Sequence, residues 1–388
     1  MRGRIVGFVR EQGPVSRGDI GRQFSLDKKA VSLIVEELLS AGVLAISGLR
    51  ESRAGRPSEL LSVNASRGSV IGIDLGATHI LGVLADLAGS VLERAWFEIR
   101  PGLPVDIIVD QMKSIGARLL GSPKKRGRVG RVGICVPGFV QQRTGTSLVA
   151  ENIPGWRDVR VREIFETAFE RPVVVDDSSR ALAFAEKRVG HGRGVRDFIA
   201  LDLGYGIGMG IVAGGALYGG SAWKSGEIGH VVVQPEGERC ACGNIGCLET
   251  VASGRAIARR AQAAIRAGSS PLLMQLTHGS PEDVTAQDVG VAASMQDACA
   301  VSLLADAGAA VGMALAQAVN ILNPAVVVLG GGLVGAGSAL IDAVTASFQR
   351  FAMPGIREET RIEASQLGVD GSALGAAHLA ADLVVSES

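Results

Sequence analysis

An internal repeat limits the folds open to this chain. The short apolar run Ile71-Gly72-Ile73-Asp74-Leu75-Gly76 ends in an acidic residue and a glycine, and it returns as Ile199-Ala200-Leu201-Asp202-Leu203-Gly204. One constant offset relates four positions in each copy, where Asp74, Leu75, Gly76 and Gly82 correspond to Asp202, Leu203, Gly204 and Gly210. A constant offset indicates a duplicated unit. We therefore expect two lobes, residues 65–190 and 191–388, each built on a β-hairpin with the same turn and facing the other across a cleft.

Composition supports an α/β fold and excludes several classes of protein. The 388 residues include 53 glycines and only 4% aromatic residues, which suits strands and helices joined by glycine turns. Lys+Arg and Asp+Glu are both 39, so the net charge indicates neither a nucleic-acid nor a membrane partner, although it can conceal a local patch. The five cysteines, an odd number, argue against a disulfide framework and favour a reducing cytoplasm. No apolar run reads as a signal peptide or a membrane span.

The first 64 residues have a different pattern, typical of a helix-turn-helix. Ile5, Phe8 and Val9 lie on one face of a first helix, and Gly13-Pro14 ends it. Ser16 can cap a second helix, and Ser25 or Asp27 can cap a third that runs to about Ser40. Two short strands around a basic, glycine-containing loop follow, as in the β-hairpin wing of a winged helix.

This N-terminal region is the candidate DNA-binding domain, residues 1–64. The third helix would be the recognition helix, with Lys28, Lys29 and Ser32 facing the major groove. Arg53 and Arg56 of the wing would reach phosphates or a minor groove. The alternative is a small helical cap whose charged side chains are merely solvated.

The repeated turns are candidates for anion binding. Turns of this kind expose backbone N–H groups that can hold a phosphate, as Gly204–Gly208 would. A third glycine turn, Gly330–Gly332, precedes an expected helix and suits anions for the same reason. Asp74 and Asp202 could hold a metal-bound phosphate or could cap their turns, and spacing alone favours neither.

Four potential metal ligands lie close together in the second half. Cys240, Cys242 and Cys247 have the spacing C-x-C-x4-C, and His230 lies ten positions before the first of them. Three thiolates and one imidazole fill the tetrahedral coordination shell of Zn²⁺ and leave no position for a catalytic water. The sequence predicts a closed, structural zinc knuckle. The alternative is reduced thiols in an ordinary loop.

These motifs resemble the ROK family of repressors and sugar kinases, along essentially the whole chain. Gly226–Glu249 is similar to the family's signature of an acidic residue, the zinc histidine and three zinc cysteines, and Asp74–Thr78 to its first phosphate loop. The resemblance implies a duplicated ribonuclease-H/actin-like fold of residues 65–388, with the last helix returning to the first lobe. The winged helix is similar to that of family members that regulate sugar genes. The resemblance to the family further implies vestigial phosphate loops, formed by Asp74, Gly76, Thr78, Gly204, Gly206 and Gly331.

One position departs from the kinases of the family. Their catalytic base is an aspartate that follows an asparagine, and an ungapped match places Asp177 at the asparagine and Ser178 at the base. A serine hydroxyl cannot accept a proton at neutral pH without a base of its own. Asp177 would substitute only if the turn shifted by one residue. Ser178 or Ser179 is also expected to cap the helix that begins here and runs through Arg188. His79 is a second departure, because the kinases commonly carry lysine at this position. The alternative is that this histidine has no role in the site and is simply solvated.

The sugar-binding positions of the family are better retained in this chain than the position of the catalytic base. By resemblance, Asn152, Glu227, His230 and Glu249 contact sugar hydroxyls, and Asp177 can still accept a hydrogen bond from one. The alternative for Glu227 and Glu249 is support of the zinc ligands, and the two roles are compatible.

The sequence thus predicts a cytoplasmic, sugar-responsive regulator that is not an enzyme. Its expected partners are a palindromic operator DNA, a sugar or sugar derivative, and further copies of itself in a homodimer or homotetramer, without a membrane. An ATP-dependent hexose kinase carrying a DNA-binding arm is the rival function. A sensor whose main partner is another protein is a third.

Overall fold

The computed structural model describes residues 1–51, 57–100, 102–150 and 153–386, without the side chain of Ser386. Three helices and a small antiparallel sheet of strand order β1-β3-β2 form the N-terminal part. Its elements are α1 (Arg2–Gln12), β1 (Val15–Ser16), α2 (Arg17–Phe24), α3 (Lys28–Ser40), β2 (Leu44–Arg50) and β3 (Ser58–Val63).

Side-chain caps set the starts of α2 and α3. The hydroxyl of Ser16 accepts a hydrogen bond from the N–H of Asp19 at 3.2 Å, and the carboxylate of Asp27 accepts one from the N–H of Ala30 at 2.8 Å. Each cap satisfies a backbone donor that has no partner within its helix. Of the two predicted caps for α3, Asp27 is therefore the one used.

The first lobe is built on a five-stranded sheet of order β11-β7-β4-β5-β6. These strands are β4 (Gly68–Leu75), β5 (His79–Asp86), β6 (Val91–Glu98), β7 (Arg128–Val136) and β11 (Val173–Asp177). Strand β4 pairs antiparallel with β5 and parallel with β7. The lobe also contains α4 (Val105–Leu120), α5 (Val161–Phe169) and a three-stranded sheet of β8 (Phe139–Gln141), β9 (Thr146–Val149) and β10 (Arg157–Val159).

The second lobe repeats this sheet. Its order is β14-β13-β12-β15-β16, and β12 pairs antiparallel with β13 and parallel with β15. The strands are β12 (Phe198–Leu203), β13 (Ile207–Ala213), β14 (Ala216–Leu217), β15 (Val326–Gly330) and β16 (Arg361–Ala364). Its helices are α7 (Leu248–Ala252), α8 (Gly254–Arg266), α9 (Pro271–Leu276), α10 (Ala286–Ser294), α11 (Ala298–Leu322), α12 (Ser338–Phe351) and α13 (Pro354–Arg357). The identical strand order and directions confirm the duplication predicted from the sequence.

Two helices cross between the lobes. Helix α6 (Ser178–Val189) follows the last strand of the first sheet but packs on β12 and β13 of the second, whereas α14 (Gly371–Ser386) follows the second sheet and packs on β4 and β7 of the first. The two helices also pack on each other so closely that a Cβ at Gly375 would lie 1.7 Å from the carbonyl oxygen of Ala181. Each lobe is therefore covered by a helix that belongs, in chain order, to the other.

Several local expectations were wrong in detail. Asp177, not Ser178 or Ser179, caps α6, with its carboxylate 3.0 Å from the N–H of Arg180. The hydroxyl of Ser253 caps the start of α8 and separates it from α7, which ends at Ala252. The glycine turn after β15 leads into a short 3-10 helix, Gly332–Ala336, rather than directly into an α-helix.

Helix α11 is, among the described residues, the one helix long and apolar enough to cross a membrane by length and composition. Half of its most apolar window is buried inside the protein. It packs lengthwise on α12 and also touches α7, α8 and α10. These contacts are those of a core helix of the second lobe.

Candidate metal centre and interlobe cleft

The four predicted metal ligands come together in the structure. One ligand atom from each of His230, Cys240, Cys242 and Cys247 lies within 4.8 Å of all the others. The sulfurs of Cys242 and Cys247 are 3.7 Å apart, and the sulfur of Cys240 is 3.6 Å from Nδ1 of His230. A tetrahedral zinc ion with its usual bond lengths needs edges of about 3.5–3.8 Å between such atoms. The donor set and its spacing therefore fit Zn²⁺.

Backbone hydrogen bonds fold the segment around this centre. The N–H of Cys240 donates to the carbonyl of Asn244 at 2.8 Å, and Val232 forms a bridge with Cys247. Gly246 has a φ of +73° and approaches Gln234 so closely that any Cβ would clash with its carbonyl oxygen. The glycine is needed to bring the third cysteine back to the first two.

The thiols of this cluster favour protons when no cation is bound. Burial, together with the neighbouring thiols, raises the pKa of Cys247 to about 12, and burial raises the pKa of Cys240. A divalent cation among the sulfurs reverses this preference because it stabilises thiolates. Metal binding should therefore release protons, and its affinity should increase with pH.

His230 joins the metal centre to an acidic side chain. Its Nδ1 faces the sulfur of Cys240, while its Nε2 lies 3.9 Å from a carboxylate oxygen of Glu227. With Nδ1 on the metal, the proton of the neutral ring is on Nε2, which can donate to a ligand oxygen on that side.

Glu249 ties the metal segment to the repeated turn of the second lobe. It lies in the first turn of α7, two residues after Cys247, and its carboxylate accepts a hydrogen bond from the N–H of Ile207 at 3.2 Å. Ile207 is the first residue of β13, directly after the turn that contains Gly204 and Gly206. The metal centre, Glu249 and this turn therefore form one connected wall.

Three carboxylates meet where α6 begins. Asp74 and Asp202 are the second-last residues of corresponding strands of the two lobes, and Asp177 caps α6. Burial, and then the charges of Asp74 and Asp177, raise the pKa of Asp202 to about 7. Burial raises the pKa of Asp177 to about 6 in spite of the opposing charge of Arg180. The hydroxyl of Ser178 donates to Asp74 at 2.9 Å. The cleft predicted between the lobes is thus acidic at its floor.

Because the pKa of Asp202 is raised in the folded protein, its contribution to the free energy of unfolding should decrease as pH rises from about 4 to about 7. The folded state holds the proton of Asp202 from about pH 4 to about pH 7, whereas the unfolded chain has already lost it at 3.8. Asp202→Asn cannot ionise, so it should unfold at a higher temperature than the wild type at pH 8 and at a similar one near pH 4. The shift corresponds to about 4 kcal/mol at most, and we expect about 1–3 kcal/mol because the side chain keeps partial contact with solvent.

Thermal unfolding at pH 4, 6 and 8 measures this difference. Asp342→Asn, which removes an exposed carboxylate on α12, is the matched control and should show no such trend. An Asp202→Asn effect of the same size at every pH would show that the carboxylate is not protonated in the folded protein.

The predicted phosphate loops are closed by their own hydrogen bonds. The N–H of Gly76 donates to the carbonyl of His79 at 2.9 Å, and that of Gly204 to the carbonyl of Gly206 at 3.0 Å. A Cβ at Gly331 would lie 2.6 Å from an oxygen of Asp202, so the third loop adjoins the second. The side chain of Thr78 is exposed.

His79 is not simply solvated. Its ring stacks on Trp96, with ring centres 4.5 Å apart and planes 10° from parallel, and its Nε2 lies 3.6 Å from Asp74. The histidine therefore occupies the space beside the first loop as a packed ring.

Arg180 is a cleft residue that sequence reasoning missed. It is 3% exposed, and its guanidinium pairs with Asp176 at 2.6 Å and donates to the carbonyl of Trp223 at 3.0 Å. The charges of Asp176, Asp177 and Glu227 all raise the pKa of Arg180 against the effect of its burial. Arg180 therefore links the start of α6 to the loop that leads to Glu227. An arginine four residues after an aspartate at a helix start was the available signal.

The remaining predicted residues lie apart from the cleft or outside the described residues. Lys28, Lys29 and Ser32 have exposed side chains on α3. Asn152, Arg53 and Arg56 fall outside the described residues.

Comparison with known proteins identifies the family of this cleft and metal centre. The sequence model of the ROK family matches residues 70–383. The chain belongs to the ROK family. A xylose repressor of Bacillus spizizenii is 26% identical over 95% of this chain and 91% of its own length.

Two solved ROK structures distinguish the parts of the chain. A ROK transcriptional regulator, a homologue of the E. coli Mlc protein, is 28% identical with a TM-score of 0.77 and covers 100% of this chain and 98% of its own. A ROK glucokinase from Streptomyces griseus, in complex with glucose and AMPPNP, is 32% identical with a TM-score of 0.74. It covers 81% of this chain and 99% of its own, so it has no counterpart for the rest. The regulator matches the N-terminal part as well as the two lobes.

Proposed function

We propose that this ROK protein is a cytoplasmic, sugar-responsive transcriptional regulator, most simply a repressor, that does not phosphorylate its sugar. The observation that carries the proposal is the side chain at the position of the kinase base. Ser178 places a hydroxyl there, and that hydroxyl donates its proton to Asp74 at 2.9 Å. A group that is already donating to a carboxylate is poorly suited to accept a proton from a sugar hydroxyl.

The N-terminal part supports a DNA-binding role. Its three helices and antiparallel strands have the order of a winged helix, and the exposed Lys28, Lys29 and Ser32 lie at the start of α3, the proposed recognition helix. Arg53 and Arg56 would extend the contact from the wing. A relative named as a xylose repressor and a solved structure named as a transcriptional regulator both match nearly the whole chain, which agrees with this assignment.

The cleft supports a sugar effector. In this proposal Glu227, His230 and Glu249 form one wall of the sugar site and Asp177 its floor, and they contribute carboxylate oxygens and one ring N–H to the binding of hydroxyl groups. Asn152 is proposed as a further contact. The zinc ion would be held by His230, Cys240, Cys242 and Cys247 and would fix the orientation of that wall. Ligand binding would change the relation of the lobes and so re-space two winged helices on a palindromic operator, in a dimer or tetramer.

A titration of operator DNA with the full chain tests this function. Fluorescence anisotropy with DNA from upstream of its own gene should show specific binding whose affinity changes about 5–150-fold on addition of the effector. A thermal-shift panel of mono- and disaccharides, N-acetyl sugars and sugar phosphates would identify that effector, because a ligand of the folded state must raise the melting temperature. A protein with no specific DNA binding, or with DNA binding indifferent to every sugar that stabilises it, would not be this regulator.

The recognition helix gives a sharper prediction. Lys28→Ala combined with Lys29→Ala should weaken operator binding and make the slope of log K against log salt less negative by up to about 2, since each phosphate contact contributes about 0.9. Lys124→Ala combined with Lys125→Ala, an exposed lysine pair between α4 and β7, is the control and should leave both quantities unchanged. Unchanged affinity and slope in the first variant would exclude α3 as the recognition helix.

A further inference from the structure

The last turn of α1 is anchored to the two lobes by buried polar contacts. The side chain of Arg10 is 3% exposed and forms an ion pair with Asp382 of α14. Its guanidinium also donates to the carbonyl of His378 and to that of Leu87, both at 3.1 Å, and lies 2.9 Å from Nδ1 of His378. Leu87 follows β5, so Arg10 is fixed to the first lobe and to the helix that covers it.

The next two residues of α1 contact α6 and the segment that follows it. Glu11 forms an ion pair with Lys187 in the last turn of α6. The carbonyl of Gln12 accepts a hydrogen bond from Arg193, just after α6, at 3.2 Å. Arg188 of α6 pairs with the same Asp382 that holds Arg10. We call this cluster the α1 joint, formed by Arg10, Glu11, Lys187, Arg188, His378 and Asp382.

The joint therefore touches one helix of each lobe. Helix α14 lies on the first sheet and α6 on the second, so Lys187 and Asp382 are carried by two helices that cover different lobes. Helix α6 also begins in the cleft, where Asp177 caps it and Arg180 binds the loop that leads to Glu227. Its 12 residues span about 18 Å as one rigid element.

The joint is poorly suited to gradual sliding. Burial, together with the charge of Arg188, lowers the pKa of Arg10 to about 9, and burial lowers the pKa of His378 well below its usual value. Charges in such surroundings are tolerated only while they keep their partners. A displacement that broke these contacts would leave buried charges unpaired, so α1 should move together with its partners rather than past them.

We propose that the α1 joint transmits the state of the sugar cleft to the N-terminal part through α6, with the Glu11–Lys187 pair as its link to the second lobe. The proposal rests on the proposed sugar-responsive regulation, and it assigns that regulation to specific residues. Glu11 and Lys187 are positioning residues that touch neither sugar nor DNA.

Glu11→Gln in the full chain is the sharpest test, because it removes the charge and keeps the size of a side chain that is 36% exposed. The probes are D-xylose and D-glucose, the sugars in the names of its relatives and of a relative's ligand. We expect the factor by which sugar changes operator affinity to fall at least threefold, while sugar affinity without DNA stays within twofold of wild type. Lys187→Met should have the same effect, and the double variant should add little to it.

Glu282→Gln is the matched control, since Glu282 pairs with Arg266 on the outside of the second lobe at 2.7 Å. It should leave the sugar effect at the wild-type level. A wild-type sugar effect in Glu11→Gln would overturn the proposal.

Hydrogen exchange of the amides of α1 separates this proposal from the proposed function, because it needs no DNA. Sugar should change their exchange rates at least threefold in the wild type and not in Glu11→Gln. If sugar changes α1 exchange in this way but does not change operator affinity, the proposed regulatory function is wrong and the role of the α1 joint is supported. If neither sugar alters α1 exchange in the wild type, the joint is overturned.

Discussion

Cys242→Ser is expected to abolish stable zinc binding and, with it, the response to sugar. Cys242 is the one exposed cysteine of the cluster, so a serine there disturbs little packing. It does remove one of four ligands from a closed site, and serine is a poor ligand for zinc because its hydroxyl remains protonated. Since even supporting residues contribute about 10–100-fold to metal affinity, the loss of a ligand should cost at least about 100-fold.

The sugar response should be lost because His230, one of the four metal ligands, also faces Glu227 in the proposed sugar site. Without the metal the imidazole loses the coordinate bond that fixes its orientation, and the wall formed by Glu227, His230 and Glu249 loses its geometry. Loss of one hydrogen bond to a charged group costs about 1.5–3 kcal/mol, so sugar affinity should fall by about tenfold or more.

Metal content by mass spectrometry and sugar affinity by calorimetry measure the two effects on one sample. Cys299→Ser, which changes a partly exposed cysteine outside the cluster, should alter neither. Retained sugar affinity in a zinc-free Cys242→Ser protein would show that the metal centre and the sugar pocket are independent.

The sequence revealed those parts of the fold and site that depend on neighbours along the chain. The repeat around Asp74 and Asp202 predicted two equivalent sheets, the C-x-C-x4-C spacing predicted the metal cluster, and Asp27 was among the expected caps. Each is a local or periodic pattern, so a single sequence displays it.

Pairing between distant residues was not predictable in this way. Arg10 and His378 are 368 positions apart, and neither lies in a motif. Arg180 is buried because a loop of the second lobe covers it, which the residues near Arg180 do not indicate. The start of α6 was placed on serine because serine caps helices well; the structure uses Asp177, whose carboxylate caps equally well.

The wild-type protein is expected to show no ATP-dependent hexose phosphorylation at the rates of ordinary kinases, about 1–100 per second. Without a general base the reaction lacks the rate acceleration of about 10²–10⁴-fold that such a base contributes. Ser178→Asp restores a carboxylate at the position of the base and should raise kcat/KM by about 10²-fold, provided that the phosphate loops still accept ATP. Ser178→Asn, of nearly the same size but without a base, should not.

The pH dependence of Ser178→Asp identifies the mechanism of any gain. The new carboxylate would replace the hydroxyl that now donates to Asp74, so the two negative charges would raise its pKa. Activity should therefore increase with pH until that group is ionised. A coupled assay of ADP release over a hexose panel, from pH 6 to 9, measures it.

Wild-type turnover at ordinary kinase rates would reverse the functional conclusion and point to Asp177 as the base. Asp177 is the nearest alternative because burial raises its pKa to about 6, in the range of a general base near neutral pH. Asp177→Asn would then abolish turnover. If the protein is a regulator instead, Asp177→Asn should weaken only sugar binding. The asparagine side chain can still accept the hydrogen bond from Arg180 N–H that caps α6. The two variants at adjacent positions thus decide whether the cleft senses its sugar or phosphorylates it.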